Sequence, residues 1–278
     1  MKKAFRFFVA AALVLGIAAS CGKDNGAKTP DDDSQEQPSD NPTDNPSKPE
    51  GPVYPITVDG DDSDWAALDQ SYVVTLTAPE GRTAGHDLIR SAKIYVDPDY
   101  INIYFTFRDT ITQAVKHNLY VDFDNSDETG GYDNQFTDPN SEASFQGEIR
   151  KAGTKEFSSI SGTLYEWSGA VGGKYTDPNT GELKNNWEWT SIMSYSAVAS
   201  GAGKELGGGI SAYEYQICLS SADEDSLPIN ELYTINSTEI GIGLDILSLW
   251  TDVGCLPIGV DALAPKAKVK IAPAFKAE

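Results

Sequence analysis

Residues 101–107 read Ile101-Asn102-Ile103-Tyr104-Phe105-Thr106-Phe107, and this stretch decides the fold class. Ile101, Ile103, Phe105 and Phe107 fall on one face of an extended chain, and Asn102, Tyr104 and Thr106 on the other. Just upstream, Ala92-Lys93-Ile94-Tyr95-Val96 is again β-branched and aromatic, and Asp97-Pro98-Asp99 between the two runs is a turn signal. The pair therefore predicts a hairpin.

Tyr72-Val73-Val74-Thr75-Leu76-Thr77 precedes the hairpin, and similar runs follow at 117–123, 143–149, 162–167, 187–195, 213–219, 239–247 and 268–271. No long stretch has helical period, and only 64–69 and 225–232 suit short helices. About ten short strands with Gly and Pro turns in residues 53–278 predict an all-β fold, a single β-sandwich with jelly-roll or immunoglobulin-like layers.

The 278 residues hold 42 Asp plus Glu against 21 Lys plus Arg, a formal net charge of −21. Phosphate binding needs a basic surface, so nucleic acid is not an expected partner. Apolar residues at 40% and aromatics at 10% suffice for a core. With only His86 and His117, a three-His zinc site is excluded.

Lys2, Lys3 and Arg6 precede an apolar run at 7–17, and Ala18, Ala19 and Ser20 lead to Cys21. This is the pattern of a secretory signal over residues 1–20, too short in its apolar part to span a membrane. Ala18-Ala19-Ser20-Cys21 resembles the lipobox of bacterial lipoproteins, although the family usually has Leu where Ala18 stands. The resemblance implies lipidation of Cys21; ordinary cleavage after Ser20 is the alternative. Losing three positive charges and no acid, the mature chain would carry −24, so lipid and not surface charge would hold it to an anionic membrane. Lys23-Asp24 and Asp31-Asp32-Asp33 resemble export signals of lipoproteins displayed on the outer face of the cell outer membrane; a plain solvated linker is the other reading. Residues 21–52, rich in Pro, Asp, Asn and Ser, predict a disordered tether with a reach of about 100 Å.

Ile56-Thr57-Val58-Asp59-Gly60-Asp61 with Asp64-Trp65 resembles the opening of family 9-type carbohydrate-binding modules and the related DOMON-like sandwiches. The strand from Tyr100 to Asp109 is similar to a second family element, and Tyr120-Val121-Asp122-Phe123-Asp124-Asn125 with Thr129-Gly130 to a third. Gly162-Thr163-Leu164-Tyr165-Glu166-Trp167 and Trp187-Glu188-Trp189 match a recurring aromatic element of lipoprotein relatives. The resemblance implies a β-sandwich of the kind appended to glycan-active proteins.

Three constellations carry possible chemistry. Asp122, Asp124 and Ser126 alternate in a turn, as oxygen ligands do at the start of a calcium loop, with Glu148 as the remote acid to complete the shell. A polar turn capped by its own Asp side chains is the other reading. Trp167, Trp187 and Trp189, with Tyr165 and Tyr175, could form the flat platform on which a sugar's C–H face stacks, while Asn185 and Arg108 contact hydroxyls. Trp187 and Trp189, two apart, would share a face of a strand; the competing reading puts these side chains in the core, as expected of Trp65 and Trp250. Cys218 and Cys255 either pair, worth about 3–4 kcal/mol on the loop-entropy argument, or lie as thiols on separate strands.

No Ser-His-Asp order, phosphate loop or metal-ligating His pair is present, which favours binding over catalysis, although two carboxylates would suffice for a glycosidase. DOMON relatives that bind haem need axial ligands; His86 or His117 with Met193 reads instead as structural. The sequence thus predicts a lipid-anchored surface module that binds poly- or oligosaccharide without catalysis, with structural calcium. The alternative is a protein-interaction or structural lipoprotein of an outer-membrane nutrient-uptake complex.

Overall fold

The computed structural model describes residues 54–82, 88–131, 135–181, 183–185, 187–194, 198–220, 228–249 and 251–275; of 174, 175 and 183–185 it describes the backbone alone. The signal segment, Cys21, the tether, His86 and Trp250 lie outside the described residues.

Along the chain run β1 (Val74–Thr77), β2 (Ile89–Val96), β3 (Tyr100–Arg108), β4 (Val115–Asp122), β5 (Ala143–Arg150), β6 (Phe157–Trp167), β7 (Lys174–Thr176), β8 (Leu183–Asn185), β9 (Trp189–Ser194), β10 (Ala199–Gly207), β11 (Ile210–Cys218), β12 (Glu239–Ser248), β13 (Thr251–Leu256) and β14 (Ala267–Lys270). They form a β-sandwich. One sheet has the order β1-β2-β3-β11-β10; the other runs β13-β12-β4-β5-β6-β9, with β14 also on β12, and β7 pairs with β8. β13 and β14 share one edge of β12 end to end, pairing with 244–248 and 239–242 respectively. All these pairings are antiparallel.

The expected β2–β3 hairpin is present, and Asp97 builds its turn: its carboxylate accepts the N–H groups of Asp99 and Tyr100. Ile101, Ile103, Phe105 and Phe107 are fully buried against Leu119, Val121, Phe145, Leu164, Ile242 and Leu244 of the facing sheet. Burial of so much apolar surface at about 25 cal/mol per Å² is the main term holding the layers together. Of the helix expected at 225–232, residues 225–227 lie outside the described residues, and the described part holds a single turn, Ile229–Leu232.

The other face of β3 is covered too. Residues 54–68 cross it, placing Ile56, Trp65 and Leu68 against Tyr95, Tyr104 and Ala212. Glu214, buried on β11, ties this segment down. Its carboxylate accepts the Trp65 indole N–H at 2.7 Å and the N–H groups of Asp59 and Gly60 at 3.1 Å each. The acidic turn at 59–64 is thereby accounted for: Asp61 pairs with Lys204, Asp62 with Lys93, and Asp64 accepts the Thr57 N–H.

The two cysteines do not form a disulfide. Cys218 ends β11 beside Tyr100, whereas Cys255 is buried on the outer face of the opposite sheet with Tyr120, Phe136, Trp167 and Trp189. They belong to different sheets, Cys218 to the smaller and Cys255 to the larger.

Candidate functional site

Alternation along β4, β5, β6 and β12 sends Leu119, Phe145, Leu164 and Leu244 inward and their neighbours to the outer face of the larger sheet. The register then sets those neighbours in rows. Asp245, Asn118 and Gln146 stand side by side on β12, β4 and β5; the next row holds Gly243, Tyr120, Ser144 and Tyr165. Asn118 donates from Nδ2 towards Asp245 Oδ2 and the Tyr120 hydroxyl, each at 3.4 Å, while its Oδ1 is buried without a partner.

Over one half of this face folds the β4–β5 connection. Phe136 lies on Gly243, where a Cβ would come within 2.4 Å of its ring, and meets Tyr120 edge-on at 6.2 Å. Trp167 and Trp189 pack edge-to-face beside them at 5.3 Å. The other half stays open as a cavity of about 430 Å3, within the range of small-ligand sites, with the polar row on its floor. Tyr120, Tyr165 and Trp187 supply its aromatic walls; Gln135 and Asp252 add polar groups.

The aromatic residues singled out from sequence therefore divide. Trp187 is 59% exposed and Tyr165 half-buried, and both line the cavity. Trp167 and Trp189, 9% and 8% exposed, are packed as a layer beneath the cavity wall, with Trp189 tilted behind Trp187 at 6.3 Å. Trp187 precedes β9, so the two do not share a strand face as expected. Tyr175 and Asn185 lie on the β7–β8 pair, where only the backbone is described. Arg108 is placed elsewhere, on the smaller sheet at the end of β3, because the register pairs it with Ile210 of β11. Asn118, Gln146, Asp245 and Asp252 were missed; single polar residues within apolar runs were the only signal.

The Asp122 loop is a candidate cation site with a different ligand set. Single oxygens of Asp122, Asp124 and Glu142 lie within 4.8 Å of one another. Glu148 is not among them: β5 pairs it with Lys116, five rungs from the Ala143–Val121 pair, or roughly 17 Å along the strand. Ser126 shapes the turn, its N–H donating to Asp124 and its hydroxyl accepting from the Glu128 N–H. Glu142 ends the same connection that Asp122 begins, and its Oε2 accepts the Phe123 N–H at 2.7 Å.

Burial, reinforced by Asp124 and Asp122, pushes the Glu142 carboxyl up to about 7. Burial also raises Asp122, against the pull of Lys268 at 3.1 Å. Asp122 Oδ1 and Glu142 Oε1 are buried with no hydrogen-bond partner, the condition a hard divalent ion would relieve. Lys268 supplies part of the neutralising charge, bonding Asn125 as well.

His117 lies in the core facing the Tyr215 ring at 4.8 Å, a structural position. Asp109 is likewise structural, held by the buried Arg150 and by the Ser211 hydroxyl. Compared with known proteins, the chain matches no family model, and no curated protein sequence is similar to it.

Proposed function

We propose that the protein is a surface-displayed, lipid-anchored module that binds poly- or oligosaccharide without catalysis, through the outer face of its larger sheet. One observation carries this reading: an open cavity has an exposed indole at its rim and a row of amide and carboxylate side chains on its floor. A sugar ring needs both, a flat apolar surface for its C–H face and fixed polar groups for its hydroxyls. Trp187 would stack, while Asn118, Gln146 and Asp245 would set orientation. The likeness of 56–65, 100–109 and 120–130 to family 9-type carbohydrate-binding modules supports the same class of ligand. A calcium ion at Asp122, Asp124 and Glu142 would fasten the two ends of the connection that carries Gln135 into the cavity wall.

The test is affinity electrophoresis of the purified protein in gels containing a panel of neutral and acidic polysaccharides, with calcium and with EDTA. Retardation by at least one glycan, abolished by Trp187→Ala and by Gln146→Ala, supports the reading. Folded protein that no glycan retards would sink it and leave a protein partner in an uptake complex as the better account. Release of new reducing ends, lost on Asp245→Asn or Asp252→Asn, would instead make it a hydrolase.

A further inference from the structure

The cavity on the larger sheet takes its lining from every strand of the path β13-β12-β4-β5-β6-β9 in turn. Asp252 comes from β13, Asp245 from β12, Asn118 from β4, Gln146 from β5, Tyr165 from β6, and Trp187 stands just before β9. A site lined in this order crosses the strands. Six neighbouring strands at the usual spacing span roughly 24 Å, so the cavity is a trough and not a pit. Given the carbohydrate reading above, on which this rests, we propose that the ligand is an uncharged glycan chain laid side-on across the strands, and that the trough rejects acidic glycans. Asp245, Asn118 and Gln146 share one register row, so polar side chains recur once per strand along the trough. The strand spacing of about 4.8 Å is close to the rise of one ring in an extended glycan, and successive rings therefore meet successive polar groups.

The chemistry of the row suits hydroxyls and not carboxylates. Asn118 and Gln146 offer both amide donors and carbonyl acceptors, whereas the carboxylates of Asp245 and Asp252 accept only. A sugar hydroxyl donates and accepts, so it can use every one of these groups. Asn118 Nδ2 is already directed at Asp245 Oδ2 and the Tyr120 hydroxyl, which leaves its buried Oδ1 as an acceptor with no donor. A hydroxyl supplies that donor; an ionised carboxylate or sulfate cannot. An acidic sugar would need a cation to receive it, and among the described residues that line the trough there is no Lys, Arg or His. It would instead lie beside Asp245, which is 1% exposed and so little screened by solvent ions. Like charges brought together in such a place weaken binding strongly. At the β9 end the exposed Trp187 ring can take the C–H face of a terminal or internal ring alike.

The experiment is affinity electrophoresis of the full-length protein in mannan, galactan and β-glucan, each run beside the same polymer with its primary hydroxyls oxidised to carboxylates. A neutral polymer that retards the protein should lose at least about tenfold in affinity on oxidation, because like charges then meet in the trough. Asp245→Asn or Asp252→Asn should shrink that ratio. Glu231→Gln removes the same charge at an exposed position outside the trough and should leave the ratio unchanged, which separates the trough from the acidity of the whole chain. Calorimetry with oligosaccharides of the retarding polymer should show affinity rising from the monomer through the trimer. Equal or tighter binding of an oxidised polymer, a ratio that the folded Asp245 and Asp252 variants leave intact, or a monomer that binds as tightly as the trimer overturns this ligand class while the carbohydrate reading stands. Failure of every polymer, neutral and oxidised, to retard the protein sinks the carbohydrate reading itself and the ligand class with it.

Discussion

Gly131 lies flat against the indole of Trp167: a Cβ at this position would fall 1.8 Å from Cδ2 of the ring. The glycine is held there by two backbone hydrogen bonds with Ser141, so the loop cannot simply lift away. Gly131→Ala must displace the indole or the 131–141 strand pair, an overpacking that costs about 1–3 kcal/mol. Chemical denaturation should show that loss, and the near-ultraviolet circular dichroism of the Trp167–Trp189 pair should change with it. An alanine variant with wild-type stability and spectrum would mean that the loop does not rest on the indole.

Trp187 and Trp189 are neighbours with opposite duties, and single substitutions separate them. Trp187→Ala removes an exposed ring and should alter stability by no more than about 0.5 kcal/mol. Trp189→Ala empties a buried position among Tyr120, Phe136 and Trp167 and should cost about 3–5 kcal/mol. Urea midpoints of the two variants decide the point. Equal losses would show that Trp187 is packed and cannot be the platform.

The strand Tyr100–Arg108 could be read directly because its alternation is strict and its inward face is uniformly apolar. β10 could not, since its sequence Ala199-Ser200-Gly201-Ala202-Gly203 lacks the usual strand residues. The reason is local crowding: a Cβ at Gly201 would lie 2.4 Å from the Tyr213 hydroxyl, and one at Gly203 2.2 Å from the Phe157 ring. The aromatic cluster was legible as a cluster, but which tryptophan faces solvent depends on how the β4–β5 connection folds back, a tertiary fact. Glu142 replaces Glu148 for a similar reason, because strand register decides which acid returns to the Asp122 turn.

Two buried carboxyls make stability depend on pH in a way that divalent cations should modify. Burial is the first cause at both Glu142 and Glu214, and each is pushed up to about 7 from the usual 4.5. A folded-state value above the unfolded one means that protonation favours the fold. The associated stability is complete below about 4.5 and is lost as pH rises through 7. Thermal unfolding in EDTA should therefore occur at lower temperature at pH 8 than at pH 6, with roughly 2–4 °C for each kcal/mol in a domain of this size. Millimolar calcium should raise the pH 8 value by stabilising the ionised triad and have less effect at pH 6. Glu142→Gln should abolish the calcium response and leave the part of the pH dependence that belongs to Glu214. A calcium response absent at pH 8 would remove the metal from the Asp122 loop.

His117 works in the opposite sense on the acid side. Full burial in the core lowers its value from 6.5 to about 3, so the fold holds the imidazole neutral. The stability linked to that neutral form is present above 6.5 and drains away as pH falls towards 3, while the two glutamates are gaining until about 4.5. The contributions offset one another between about 6.5 and 4.5, and the steep loss should begin only below that window. Asp109 adds to this acid loss, because the hydrogen bond and charge of Arg150 and the Ser211 hydroxyl outweigh its burial and hold it below the usual carboxylate range. Replacing the imidazole by a neutral side chain of similar size, His117→Leu, should make the acid limb of a stability profile shallower by one proton while leaving the limb above pH 6.5 parallel to wild type. Denaturant midpoints measured from pH 3.5 to 8.5 give both slopes. Superimposable acid limbs would place the acid sensitivity on the carboxylates alone.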